Sequence, residues 1–462
     1  MQMQPKAPGR ADVVIAGAGI AGISTAFHLS VQLEVERVVI CDLLPPMTLT
    51  SDKSTECYRN WWPGPGDGMV ALMNRSIDLL EEWATSSDNA FNLSRRGYLY
   101  VTGDPVNLAA MEQQAGAISA LGGGDLRVLR GRPDDPAYAA SPPAAFEEVP
   151  GGADLFLDGG VLRSHFPYLS TAAVGGLHVR RAGWLSAQQL GAWLLERART
   201  AGVELVTDRV VALDISDERV RGVRLESGEM IETDRFLNAA GPLAADVGKL
   251  AGADLPLFSE VHRKVSFRDV RSALPRHAPM LIWNDPQALA WSNAELAELA
   301  GDPELRYLVG ILGAGAHCRP DGPDEAATVL GLWECHTDVR PPEFPIADDP
   351  LYPEIVLRGL TTMVPGFGEY LERLPQPYVD GGYYTKTAEN RPLIGPAGVA
   401  GSFVVAALSG FGIMAAAAAG ELGALHVVGG ALPDYWRWFS PDRYADPDYL
   451  TLVDRMTDSG QI

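Results

Sequence analysis

The chain has 462 residues, too many for one simple core, so two domains are expected. Hydrophobic residues make up 47% and charged residues 21%, the balance of a globular protein. A net charge of -22 argues against a nucleic-acid partner and against an anionic membrane surface, both of which need a basic face. Four cysteines, at 41, 57, 318 and 335, form no CxxC pair, so reduced thiols and a cytoplasmic location are expected. The opening MQMQPKAPGR holds no apolar segment of the signal-peptide kind.

In chain order, Val13-Val14-Ile15-Ala16 reads as a short buried parallel strand. Gly17-x-Gly19-x-x-Gly22 follows and opens a helix of Ala, Ile and Leu. Val38-Val39-Ile40 makes a second strand, with Asp42 at its end. This is a dinucleotide fingerprint in its full setting. Gly17 makes the tight turn, Gly19 admits a pyrophosphate, Gly22 lets helix and strand pack, and Asp42 accepts from a ribose hydroxyl. The helix N-terminus adds N–H groups and a positive dipole end. SDKSTECYRNWW, residues 51–62, crowds charges and aromatics ahead of Pro63-Gly64-Pro65-Gly66. No His neighbours Glu56 and Cys57, and the spacing suits no metal.

Gly97-Tyr98-Leu99-Tyr100-Val101 predicts an aromatic strand foreign to the first unit. Residues 131–160 are rich in Pro, Asp and Gly and read as a surface excursion. Gly183-Trp184-Leu185 and the QQLGAWLLERARTAGVEL after it predict a helix and then a strand. Val210–Leu213 and Val220–Val223 predict a strand pair, and Tyr307-Leu308-Val309-Gly310 a further strand. Near the end, Phe403–Ala407 reads as a strand, Ser409-Gly410-Phe411-Gly412 as a turn, and Ile413 onward as an Ala-rich helix. The apolar run Phe403–Ala419 therefore reads as buried strand, turn and helix in preference to a transmembrane segment. A second Gly-rich turn suits a cofactor too long for one nucleotide loop; a purely structural turn is the alternative.

GAGIAG, FLNAAGPLAADVGKLAG (236–252), RPLIGP and SGFGIMAAAAAGEL together resemble the FAD-dependent D-amino-acid oxidase superfamily. The likeness is strongest to its glycine oxidase, sarcosine oxidase and dimethylglycine dehydrogenase branch, over about residues 11–430. The resemblance implies an α/β fold: a Rossmann-like FAD-binding domain of the glutathione-reductase type, with an inserted α+β substrate domain on a mostly antiparallel sheet. The FAD-binding domain is then expected at 11–84, 181–254 and 377–430, the substrate domain at 85–180 and 255–376, and a C-terminal tail at 431–462. It implies oxidation of the C–N bond of an amine or amino acid to an imine, by hydride transfer to flavin N5. Oxygen or an electron carrier remains open as the acceptor. No nucleic acid, metal or transmembrane segment is expected. A 2-hydroxy-acid or glycerol-3-phosphate type dehydrogenase shares this fold, and a flavoprotein acting by partner binding is the alternative of another class.

On this resemblance the loop at residues 51–62 runs along the flavin, so Ser51, Lys53 and Ser54 join Gly17, Gly19, Ile20, Ala21, Gly22 and Asp42 as cofactor residues. Val210 is placed near the adenine, and Ala240 and Gly241 join the cofactor residues. Gly382, Gly410, Phe411, Gly412, Ile413 and Met414 complete the set, with the last helix N-terminus under the flavin pyrimidine. Lys53 and Gly382 stand where relatives carry a covalently attached His or Cys, which implies non-covalent FAD. Met414 stands where sarcosine oxidases carry a carboxylate-binding Lys, and Phe411 where a His is usual. Arg59 is the candidate carboxylate clamp, because its planar fork matches two oxygens; a structural salt bridge is the alternative. Tyr58, with Trp61 and Trp62, is a candidate for the pocket wall, core packing being the alternative; Tyr384 is a candidate catalytic residue, and Lys264 is the candidate for the positive charge that assists oxygen chemistry. His262, His277, His317 and His336 have no motif around them and read as ordinary.

Overall fold

The computed structural model describes residues 7–141, 146–147, 149–323, 325–337, 339–373 and 376–456. Parts of the 131–160 excursion (142–145 and 148) and the end of the tail lie outside the described residues. One six-stranded sheet runs in the order Leu393–Pro396, Ser402–Ala406, Phe236–Asn238, Val13–Ala16, Val38–Asp42, Glu204–Thr207. Five strands are parallel and Leu393–Pro396 is an antiparallel edge. Val13–Ala16, at its centre, is buried along its whole length, as a strand covered on both faces must be. Helices Ile20–Phe27 and Gly412–Val428 pack on this sheet and on each other. The Ala-rich sequence of the second permits that approach: a Cβ on Gly420 would stand 2.4 Å from Ser24 Oγ. Among the described residues Ser409–Val428 is the one segment long and apolar enough to cross a membrane, and 72% of its most apolar stretch is buried.

A nine-stranded sheet holds the inserted material. Its order is Tyr378–Lys386, Phe258–Arg268, Thr328–Leu332, Ala316–Asp321, Met280–Trp283, Tyr98–Thr102, Gly175–Val179, Ala153–Phe156, Leu126–Leu129. Most pairs are antiparallel. The parallel pairing of Met280–Trp283 with Tyr98–Thr102 joins the two insertions into one sheet. A three-stranded antiparallel sheet, Val210–Ser216, Arg219–Leu225 and Met230–Glu232, extends the expected strand pair by one.

Three sequence expectations need correction, and the tail takes a definite place. Tyr378–Lys386, assigned to the FAD-binding part, is an edge strand of the nine-stranded sheet, held by nine residue pairs to Phe258–Arg268. Tyr307–Gly310 is not a strand: Arg306–Val309 is a 3-10 turn, because three apolar residues in a row do not fix a period. The excursion at 131–160 contains a buried strand, Ala153–Phe156, whose Asp154 is ion-paired to Arg127 and Arg180. The tail is docked. Arg443 and Glu389, both 1% exposed at the side chain, pair at 2.7 Å, and Tyr444 and Tyr449 donate to the same carboxylate.

His28, just past the first helix, meets the Ala417 carbonyl of the last through Nε2 at 3.0 Å. Burial pushes its pKa down to about 4, so it is neutral when folded and charges first in the unfolded chain. Its contribution is therefore present above about pH 6.5 and is lost as pH falls towards 4, by about 3 kcal/mol in all. Urea titrations from pH 7 to 4 should show this slope, and His28→Asn should flatten it. Equal slopes in the two proteins would exclude His28 as a source of the acid sensitivity.

Candidate functional site

A cleft of about 340 Å3 runs between the parallel sheet and the substrate sheet. Its first end is the turn after Val13–Ala16. Gly17 has φ +113°, and a Cβ there would stand 2.3 Å from the Ala239 carbonyl oxygen. Gly22 packs directly on the Gly17 carbonyl behind the turn, outside the cleft wall. Gly19, Ile20 and Ala21 line the cleft. Ser51 Oγ accepts from Ile20 N at 2.9 Å, so the loop caps the helix that it crosses. Asp42 lines the cleft too; its Oδ2 accepts from Ala18 N at 2.7 Å and its Oδ1 from Leu44 N at 2.9 Å. The carboxylate thus fixes both turns beside it, and a ribose diol would share its remaining lone pairs.

The second end is the turn before Gly412–Val428. Ala407 (φ 56°) and Ser409 (φ 48°) both sit in the left-handed region that non-Gly residues avoid. Such backbone strain concentrates at ligand sites. Gly410, Gly412 and Ile413 line the cleft here. Phe411 and Met414 point into the core instead; the Phe411 ring meets Trp62 edge-on at 5.0 Å. Val210, Ala240 and Gly241 line the same cleft, joined by Asp208, Arg209 and Leu243.

The 51–62 stretch divides. Ser51 and Ser54 face the cleft. Cys57–Arg59 forms a short strand paired with Ala182–Trp184, which turns the remainder inward. Tyr58 is fully buried and donates to the Ser94 carbonyl at 2.8 Å, away from the cleft. Arg59 is 5% exposed, donates to the Trp61 carbonyl and lies 4.2 Å over the Trp62 ring. Neither Arg59 nor the Trp62 and Phe411 rings beside it line the cleft. Cys57 is buried, and burial pushes its thiol pKa up. Lys53 Nζ sits 2.8 Å from Asp380 and 3.1 Å from Asp52. Gly382 faces it: a Cβ there would stand 3.0 Å from Lys53 Cβ. Lys264 Nζ donates to the Asp52 carbonyl and lies 3.5 Å from Glu56, beneath the loop and outside the cleft.

Tyr384 does line the cleft. Its far face stacks on His262, which the sequence reading left as ordinary. The signal was the alternation in SEVHRKV, which places Glu260, His262 and Lys264 on one face of Phe258–Arg268. Phe344 also lines the cleft, from the Pro-rich stretch 341–350 that no motif marks. Among the described residues no group of three His, Cys, Asp or Glu is arranged to hold a metal ion.

The family described as DAO, FAD dependent oxidoreductase, matches residues 12–424. No curated protein matches the chain by sequence. Among solved structures, the L-proline dehydrogenase of P. horikoshii has a TM-score of 0.72 at 18% identity, covering 95% of this chain and 99% of that one. The glycine oxidase of Geobacillus kaustophilus gives 0.69 at 16%, with 92% and 96% covered. The iminodiacetate oxidase of Chelativorans sp. BNC1 gives 0.67 at 18%, with 93% and 98% covered. At these identities the likeness establishes the fold.

The cleft suits FAD: Gly17 and Gly19 line it at one end and Gly410 and Gly412 at the other, and the Asp42 carboxylate lines it beside the first turn. Asp42→Ala should weaken FAD binding by about 1–3 kcal/mol, the worth of a charge-assisted hydrogen bond. Fluorescence titration of the apoprotein with FAD measures this. An unchanged dissociation constant would show that the ribose lies elsewhere.

Proposed function

The chain belongs to the FAD-dependent oxidoreductase family, and on that premise we propose that it oxidises the C–N bond of an amine or amino acid, using non-covalent FAD. The observation that carries the substrate side is Tyr384. It is an aromatic wall of the cleft, backed by the His262 ring and by acidic side chains, in a region where an amine would be received. The three structures named above are enzymes of nitrogen-bearing acids, which supports nitrogen over oxygen at the oxidised carbon.

Bound FAD supplies a two-electron acceptor. The chain has the remaining tasks. It must hold the substrate carbon at near-attack distance and keep water from the cleft. Buried aromatic walls at Tyr383 and Tyr384 serve both purposes. The substrate loses a hydride and a proton and becomes an imine, which water hydrolyses to a carbonyl compound and a free amine.

The loop supports non-covalent attachment. Lys53 is held between two carboxylates, Gly382 has no side chain, and the Cys57 thiol is buried and protonated. Lys264 and Arg59 lie behind the cleft wall, Lys264 on the Asp52 carbonyl and Arg59 over the Trp62 ring, so the clamp and oxygen-assisting roles expected of them are replaced by shaping of the loop.

Acid precipitation should leave all the flavin in the supernatant; colour in the pellet would mean a covalent bond. An anaerobic panel of amines, amino acids, 2-hydroxy acids and glycerol 3-phosphate, read by flavin bleaching, tests the chemistry. Bleaching by at least one amine or amino acid is expected. Bleaching by the hydroxy compounds alone would overturn the nitrogen assignment.

A further inference from the structure

Behind the cleft wall, acids and bases converge on one imidazole. The His262 and Tyr384 rings are parallel, with centroids 4.0 Å and planes 12° apart. His262 Nε2 lies 3.1 Å from Glu260 Oε2, and its Nδ1 faces Glu334 Oε1. Lys386 Nζ, from the neighbouring strand, donates to Glu260 Oε2 at 2.6 Å. A neutral imidazole carries one N–H, whereas this ring faces a carboxylate at each nitrogen, so it is held as the imidazolium. Burial works against that charge, and Glu334 and Glu260 outweigh it, so the His262 pKa is raised. The His262 hydrogen bond holds Glu260 at about 2, and Glu334 is lowered as well, despite its burial.

Of the other ionisable groups near it among the described residues, Lys264, on the same face of the strand, is paired with Glu56, and His317, Tyr352 and Tyr384 are neutral. His317, on Ala316–Asp321, is pushed down by burial and meets the Gly315 carbonyl through Nδ1 at 2.7 Å. Tyr352, on helix Tyr352–Met363, donates to the Arg263 carbonyl, and Tyr384 is held well above its ordinary value by burial. The group therefore sums to zero charge, Glu260 and Glu334 against His262 and Lys386. Removing either cation leaves one net negative charge beneath the Tyr384 ring.

We propose that His262 is a positioning residue: its cation balances the buried glutamates and its ring seats Tyr384, so that an amine bound against Tyr384 meets no net negative charge. The consequence is chemical. Hydride leaves only the neutral amine, and an unbalanced carboxylate nearby would hold the substrate as its ammonium. The proton released from the substrate passes to solvent, and the quartet keeps its own protons. This proposal rests on the nitrogen reading above.

Two measurements test it. In the flavoprotein labelled with 15N-histidine, the His262 signals (assigned by their loss in His262→Phe) should be those of a doubly protonated ring at pH 7. A singly protonated ring would overturn the proposal, whatever the substrate proves to be. In anaerobic reduction by L-proline, glycine and N-methylglycine, the rising limb of rate against pH should move up by about one unit or more in His262→Phe. Lys386→Met should shift it the same way, with the ring stack left in place. His262→Phe with Glu334→Gln, neutral again, should return the limb towards wild type. A rate lowered equally at every pH in both single variants would reduce His262 to a packing residue. Failure of all three compounds to bleach the flavin, with the doubly protonated ring confirmed, would overturn the amine half of the proposal and leave only the charge balance.

Discussion

The cleft exists because one loop is gripped from below. Asp52 is the centre of that grip. Its carbonyl accepts from Lys264 of the substrate sheet, and its carboxylate faces Lys53, which reaches on to Asp380 of the edge strand. Three residues on, the Thr55 carbonyl accepts from Arg319 Nε at 2.6 Å. Arg319 is 2% exposed and is tied to Asp321 by a second bond at 2.6 Å. The cations of one sheet thus hold carbonyls of the loop that leaves the other. Bonds from charged donors to buried acceptors are costly to leave unmade, so the loop has little freedom to leave its path. Ser51 then caps the first helix and Ser54 faces the cleft as consequences of that path.

The two turns at the cleft ends meet one requirement in different ways. At the first, glycine supplies the positive φ and the space that the Ala239 carbonyl demands. At the second, Ala407 and Ser409 adopt the left-handed region without being glycine. Burial of the Ala-rich helix against Ile20–Phe27 anchors the chain on the far side and overrides that local cost. Both helices therefore present their N-termini to one cleft, where anionic parts of a dinucleotide are stabilised by unsatisfied N–H groups and by the dipole.

This difference explains what could be read from sequence. The first turn was legible because glycine spacing and Asp42 encode it locally. The second was legible as an element, but nothing in Ala407 or Ser409 announces a strained backbone. The charged, aromatic stretch at 51–62 signalled an unusual place yet misled about its direction. Pairing of Cys57–Arg59 with Ala182–Trp184, more than a hundred residues away, turns Tyr58 and Arg59 into the interior. His262 was passed over because much of its setting is non-local: Glu334 reaches it, and Lys386 reaches its neighbour Glu260, only through the register of the nine-stranded sheet. A strand's face can be read from alternation, but the neighbour across the sheet cannot.

The chain's use of lysine follows the same logic. Only five of its 37 basic residues are lysine, and three of these, Lys53, Lys264 and Lys386, lie around the cleft loop and the wall behind it. An ammonium is a compact charge with three divergent donors, whereas guanidinium needs a planar gap. Lys53 must fit between Asp52 and Asp380 while Gly382 presses on its stem. Lys264 must reach a carbonyl and Glu56 at once. An arginine's fork would push the loop off the strand beneath it. All three ammonium groups are engaged by the protein's own oxygens. None of these lysines is therefore committed to a substrate carboxylate, and on our proposal affinity at the Tyr384 wall rests on ring contact and on the charge balance behind it.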